Sequence, residues 1–279
     1  MSTDCETGAH CSSCPSAGTC SAAQQTLLRE ANEFSKIKHV IAVMSGKGGV
    51  GKSSVSALLA SHLQKAGYQV GLLDADITGP SIPRMFGITE KLRTNVAGML
   101  PSESAQGVKV MSINLLLPNE DDPVLWRGPV IGGVIEQFWT DVIWGELDYL
   151  VVDLPPGTGD APLTVMQSLP LKGLIVVTSP QELAVMVVRK AIKMAEMMNQ
   201  PILGVFENMA YLECPHCEEP VYLFGQGKAQ AMAAEYNLPF LGSLPIDPAL
   251  AELCDQGRVE EYESELFAQA AKQIAAQLD

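Results

Sequence analysis

The 279-residue sequence predicts an α/β fold, a mostly parallel twisted sheet flanked by helices. Three observations predict it. Short apolar runs alternate with stretches of helical spacing, a glycine-rich loop separates the first run from the first helix, and aspartates stand where later runs end. Strands that alternate with helices build parallel sheets through right-handed crossovers. Ligands in such sheets sit at the carboxyl ends of the strands, which is where the loop and the aspartates fall.

Residues 1–22 are rich in Ser, Cys, Gly and Ala and nearly lack large apolar residues. They read as a flexible tail that carries a cysteine cluster. Ala23 to Phe34 can form a lead-in helix, and the main domain is expected over residues 23–279. His39–Met44 (HVIAVM) is almost continuously apolar, as a buried parallel strand must be. Gln69–Leu73 is a second strand ending at Asp74, and Val108–Ile113 a third. Pro129–Trp144 has helical character. Tyr149–Val152 is a fourth strand and leads into Asp153. Leu174–Thr178, Ile202–Phe206 and Phe240–Leu244 are further strands, and Glu182–Met198 between two of them has helical spacing. Residues 207–225 break the pattern and read as an insertion with two cysteines of its own.

Composition excludes several classes. Hydrophobic residues make up 47% of the chain and charged ones only 18%, so a sizeable core is available. Acidic residues outnumber basic ones 32 to 18, a net charge of −14, and no Lys/Arg cluster appears. Nucleic-acid binding needs a basic face and is not expected. No apolar run reaches the roughly 18 residues of a membrane span. The segment MSTDCETGAHCSSCPSAG has neither a basic start nor an apolar core, so it is not a signal peptide and a cytoplasmic location is expected. Seven cysteines in that reducing compartment point to metal or redox chemistry rather than disulfides.

Gly46-Lys47-Gly48-Gly49-Val50-Gly51-Lys52-Ser53 fits G-x-x-x-x-G-K-[ST] between a predicted strand and a predicted helix, the context that gives this motif its meaning. Its glycines let backbone N–H groups turn inward around phosphates, and the helix N-terminus adds its dipole. Lys52 is expected at the β- and γ-phosphates and the Ser53 hydroxyl on Mg²⁺, with Ser54 alongside them in the nucleotide site. Asp153, the last residue of YLVVD and followed by LPPGTGD, is expected to hold Mg²⁺ through water. Pro155, Pro156 and Gly157 stiffen and turn a segment able to sense the γ-phosphate. Asp74 suits a strand-end cap or a functional carboxylate equally, and Asp160 suits a functional carboxylate or the N-cap of a helix from Ala161 equally.

Cys214-Pro-His-Cys217 can bind one metal centre with both sulfurs. Four ligands complete such a site, and a two-fold dimer would supply the second pair. Ligand type alone leaves zinc open as well as iron, and His216 reads as exposed. Cys5, Cys11, Cys14 and Cys20 form C-x5-C-x2-C-x5-C, enough thiolates for one further centre, and an unstructured or zinc-binding tail remains open. Cys254 reads as a packed thiol in a C-terminal helix.

The second lysine of GKGGVGKS resembles the deviant Walker A ATPases, which include MinD and ParA, nitrogenase iron protein and the Mrp/ApbC proteins. DADITGPSIPRMFG from Asp74, WRGP at Trp126–Pro129, DLPPGTGD, SPQELA, ENMAY with its following C-x-x-C, and FGQGKA narrow the resemblance to the Mrp/ApbC/NBP family over about residues 36–279. Arg127 of WRGP has no derivable role. The resemblance implies that Lys47 reaches a partner's nucleotide across a homodimer and that Asp76 orients or deprotonates the attacking water, with Mg²⁺ coordination a second role. It implies that Asn208 and the Pro245–Asp247 stretch hold adenine. It also implies that Cys214 and Cys217 bridge a [4Fe–4S] cluster across the dimer, and the four N-terminal cysteines resemble the ferredoxin-like motif of the NBP branch, in which the gap before the C-x-x-C is longer. The expected function is an ATP-hydrolysing carrier or scaffold that passes a labile cluster to apo iron–sulfur proteins. The open alternatives are a MinD/ParA-type positioning switch and an ATP-dependent chaperone for another metal. The last helix, Ser264–Leu278, with only Lys272, lacks the basic amphipathic face that would hold it to anionic lipid.

Overall fold

Successive side chains of a strand point to opposite faces, so a run without polar positions stays extended only if both faces are covered. Strand β1 (Lys36–Ser45) meets that condition, its last six residues being buried. Val40, Ala42 and Met44 enter one core, which also holds Phe138, Trp139 and Trp144. Ile41 and Val43 enter the other, with Leu58, Leu59, Phe206 and Phe267.

The computed structural model describes residues 28–77, 79–119 and 128–278. After β1 come α1 (Lys52–Lys65), β2 (Val70–Asp74) and the single turn α2 (Ile82–Met85). Four short strands follow, β3 (Arg93–Asn95), β4 (Gly98–Leu100), β5 (Ser102–Glu103) and β6 (Lys109–Met111). Then come α3 (Gly128–Thr140), β7 (Glu146–Asp153), α4 (Asp160–Ser168), β8 (Leu171–Thr178) and α5 (Glu182–Met197). The chain ends through β9 (Ile202–Glu213), β10 (Pro220–Val221), α6 (Ala229–Glu235), β11 (Phe240–Pro245), α7 (Pro248–Asp255) and α8 (Glu265–Leu278).

The main sheet among the described residues runs β10-β9-β8-β1-β7-β2-β6-β5, with β11 also on β9, while β3 and β4 pair separately. The inner pairings β6-β2-β7-β1-β8-β9-β11 are parallel, and β5 and β10 are antiparallel additions. The parallel, doubly covered sheet is the expected architecture. It brings the ends of β1, β2, β7, β8 and the middle of β9 to one rim.

Two elements differ from expectation. Residues 28–35 form no helix, because their backbone is spent on the body of the protein: Arg29 N–H donates to the Ser168 carbonyl at 2.8 Å, and the Trp139 indole donates to the Arg29 carbonyl at 2.9 Å. The rest of that expected helix, the four N-terminal cysteines and Arg127 lie outside the described residues. At the expected insertion, residues 207–213 instead continue β9 as one twelve-residue strand, and the chain returns through β10. No helix among the described residues is long and apolar enough to cross a membrane.

Candidate nucleotide site and cysteine hairpin

The phosphate loop leaves β1 at Ser45 and enters α1 at Lys52. Gly49 (φ 78°) and Gly51 (φ 75°) occupy the left-handed region, which side chains disfavour. Close packing adds to the demand. A Cβ on Gly51 would lie 2.2 Å from Asn208 Nδ2, and one on Gly46 would lie 2.7 Å from Val187 Cγ1. A cavity of about 240 Å³ opens over the loop, lined by Gly48, Gly49, Lys52, Ser53, Ser54 and Asp76 among others.

Beneath it lies a buried polar cluster. Lys52 Nζ is 2.7 Å from Asp153 Oδ2, and both side chains are almost wholly buried. The Ser53 hydroxyl donates to the same oxygen at 2.6 Å, and the Ser56 hydroxyl donates to Oδ1, also at 2.6 Å. Three donors therefore converge on one carboxylate. Asp74 stands opposite Asp153 in the β2–β7 register. Its carboxyl accepts from the Asp76 and Ile82 N–H groups and from the Ser112 hydroxyl. Burial, and then the nearby Asp153 charge, push the Asp74 carboxyl up to about 7, against the pull of Lys52. Asp74 is thus a strand-end anchor that fixes the start of the segment carrying Asp76. Gly159 takes the N-cap of α4, and Asp160 is that helix's exposed first residue.

Lys47 does not point into the loop. Its ammonium donates to the Gln181 side-chain oxygen, beyond the end of β8. Asn208 lies within β9 and donates to the Val50 carbonyl at 2.9 Å, so it braces the loop from below. Pro245 closes β11 opposite Tyr211. Asp247 caps α7 by accepting from Ala249 N–H at 2.8 Å, and its other oxygen takes the Tyr262 hydroxyl at 2.8 Å.

The cysteines tip the hairpin of β9 and β10. Cys214 N–H donates to the Glu219 carbonyl at 3.0 Å, and Glu218 N–H donates to the Cys214 carbonyl at 2.8 Å. The His216 N–H, then the Cys217 N–H and thiol, point at the Cys214 sulfur and hold its thiol below the ordinary range. Those are the bonds a metal-binding thiolate accepts. Among the described residues no three His, Cys, Asp or Glu side chains gather into a metal site, so each chain offers two donors here.

A phosphate loop, a carboxylate at the end of β7 and a two-cysteine hairpin thus occupy one rim of a parallel sheet. The model of the ParA family described as NUBPL iron-transfer P-loop NTPase matches residues 36–279. The chain belongs to this family. A Methanocaldococcus jannaschii protein named iron-sulfur cluster carrier protein is 48% identical over 255 residues, 88% of this chain and 87% of that one. The cytosolic Fe-S cluster assembly factor CFD1 of Kluyveromyces lactis is 44% identical over 242 residues, 84% of this chain and 86% of that one. A nucleotide-binding protein of Archaeoglobus fulgidus, solved with ADP and Co, superposes with a TM-score of 0.74 at 52% identity, covering 83% of this chain and 91% of that one. The Pyrococcus furiosus cell division ATPase MinD shares the fold, with a TM-score of 0.61 at 21% identity over 86% of this chain and 99% of that one.

In this P-loop NTPase, three site residues escaped the sequence reading. Ser56 lies one helical turn beyond Ser53, a spacing that was visible. Gln181 belongs to SPQELA, a motif that carried no role. Glu207 of ENMAY is buried and accepts from Ala229 N–H at 3.1 Å, at the start of α6. A Cβ on Gly227 would lie 1.9 Å from its Oε2, which explains the second glycine of FGQGKA.

Proposed function

We propose that this chain binds and slowly hydrolyses ATP with Mg²⁺ and carries an iron–sulfur cluster as cargo, held between two copies by Cys214 and Cys217 and passed to apo iron–sulfur proteins. Residues 23–279 act as the ATPase unit. The observation that carries the reading is the cysteine hairpin: a thiolate-favouring Cys214 in a two-donor half-site, on the strand that also braces the phosphate loop. Four thiolates from two such hairpins make a complete [4Fe–4S] ligand set.

The nucleotide residues fit the same reading. Lys52 exchanges Asp153 for the β- and γ-phosphates. Ser53 and Asp153 are hard oxygen donors that already meet at 2.6 Å, a donor set suited to Mg²⁺. Bound there, Mg²⁺ supplies neutralisation of charge across the phosphates. Asp76 orients the water that attacks the γ-phosphorus or takes its proton, and ADP and phosphate leave. Lys47 leaves Gln181 to reach the nucleotide of the second copy. Asn208, Pro245 and Asp247 form the adenine end, with Asn208 able to pair both donor and acceptor.

A second reading, a carrier of another metal, draws on the cobalt found with the Archaeoglobus fulgidus relative. Anaerobic reconstitution separates the two. The expected result is iron and sulfide in stoichiometric amounts and transfer to an apo acceptor, both lost in Cys214→Ala/Cys217→Ala. Unchanged transfer in that variant defeats the bridging-cluster proposal, and a different metal at full occupancy favours the second reading.

A further inference from the structure

Strand β9 touches the phosphate loop near its middle and ends at the cysteines. Asn208 bonds to Val50. Cys214 follows six residues later, roughly 20 Å along an extended chain. The strand is irregular between them. Against β11, β9 advances from Glu207 to Tyr211 while its partner advances only from Ser243 to Pro245. The surplus residues form a bulge. Within it Met209 has φ 57°, a left-handed conformation that strains a side chain of this size.

The bulge is in contact with the loop. The Met209 terminal methyl lies 3.6 Å from where a Gly51 Cβ would stand, and the Asn208 amide lies closer still. Gly51 is the N-cap of α1, next to Lys52. On either side of the bulge the strand is tied down. Before it, β9 pairs with β8 and β11, and Glu207 anchors α6. After it, Ile246 N–H donates to the Tyr211 carbonyl at 2.7 Å, and Leu212 and Glu213 pair with Val221 and Pro220. The irregularity therefore lies between two braced segments, which is where a hinge belongs.

We propose that the Asn208–Met209 bulge is the hinge through which nucleotide in the phosphate loop sets the aim of the Cys214–Cys217 hairpin, with Met209 as its positioning residue. The inference rests on the proposed function, since it takes the loop to bind nucleotide and the hairpin to hold cargo. Phosphate oxygens draw the loop amides toward the ligand, and the Val50 carbonyl shifts with them. Asn208 follows through its hydrogen bond. Strain at Met209 narrows the gap between its left-handed conformation and an extended one, so a small displacement at the loop becomes a rotation of the hairpin.

The test is hydrogen exchange of the full chain with and without Mg²⁺ and a non-hydrolysable ATP analogue, with calorimetry on the same samples. In the wild-type protein the exchange rate of residues 210–222 is expected to change at least fivefold on binding, and Met209→Leu is expected to behave alike. Met209→Gly removes the strain. It is expected to bind the analogue within threefold of wild type, with the exchange response reduced below twofold. Should that variant fail to fold, Met209→Asn, which also tolerates the left-handed region, is expected to show the same loss. Binding without a response in wild type, or an equal response in the glycine or asparagine variant, overturns the hinge and leaves the proposed function standing. No binding by wild type overturns both.

Discussion

Lys52 and Asp153 form an ion pair at 2.7 Å beneath the phosphate loop, with side chains only 6% and 0% exposed. A pair this deep is costly to split, since either partner left alone is a buried charge. Asp153→Ala is therefore expected to destabilise the fold by about 3–5 kcal/mol, read from urea unfolding. Lys52→Ala is expected to abolish ATP hydrolysis and still fold, because Ser53 and Ser56 continue to donate to Asp153. Normal hydrolysis by Lys52→Ala would remove the phosphate loop from the mechanism.

Glu207 and Gly227 are expected to behave as one unit. Gly227→Ala forces a methyl group into the carboxylate and is expected to cost about 1–3 kcal/mol. Glu207→Ala leaves the Ala229 N–H without its partner and is expected to cost a similar amount. In the double variant the methyl group fills space that the carboxylate has left, so the combined loss is expected to be smaller than the sum. Strict additivity in denaturant titrations would mean that the two sites do not interact.

His62 links α1 to α8. Its Nδ1 lies 2.8 Å from the Leu58 carbonyl, and Ser264 N–H donates to its Nε2, which requires the neutral ring. Burial, the largest influence, lowers its pKa below the ordinary 6.5. Protons then bind the unfolded chain more readily than the folded one. The stability this histidine contributes is complete above pH 6.5 and is lost as pH falls through the folded value. Between pH 7 and pH 5 the wild-type unfolding midpoint is expected to drop more than that of His62→Gln. Parallel pH profiles would refute this.

Two cysteines are expected to separate cleanly on alkylation. The Cys214 thiol is held below its ordinary range on an accessible hairpin. Cys254, in α7, is half-buried and pushed up to about 11 by burial. At pH 7.5, iodoacetamide is expected to modify Cys214 at least tenfold faster than Cys254, as followed by peptide mass spectrometry. Comparable rates would contradict the hydrogen bonding drawn for the hairpin.

Local chemistry made part of this site legible and tertiary packing hid the rest. That Lys52 and Ser53 stand at the cavity over the loop was readable because a glycine loop between a strand and a helix sets them at the start of that helix. Asp153 was readable because a lone acid after YLVV ends a buried strand. The Ser53–Ser56 spacing was visible, but that both reach Asp153 depends on how α1 lies against β7. The lead-in helix failed because Arg29 and Trp139, 110 positions apart, bond to each other. Strand β9 was cut short because NMAYLE mixes polar and apolar residues where the strand leaves the body of the sheet. The resemblance drew attention to Asn208 for adenine, and its bond to Val50 was visible only in three dimensions.

The position of β1 between β7 and β8, with a core on each face, has a mechanical corollary. The last six residues of the strand that launches the glycine turn are buried, so thermal breathing is expected to reach that end late. The short β5 and β10 at the margins open first. A protease is therefore expected to trim the periphery, cysteine arm included, long before it reaches the anvil on which the triphosphate would rest.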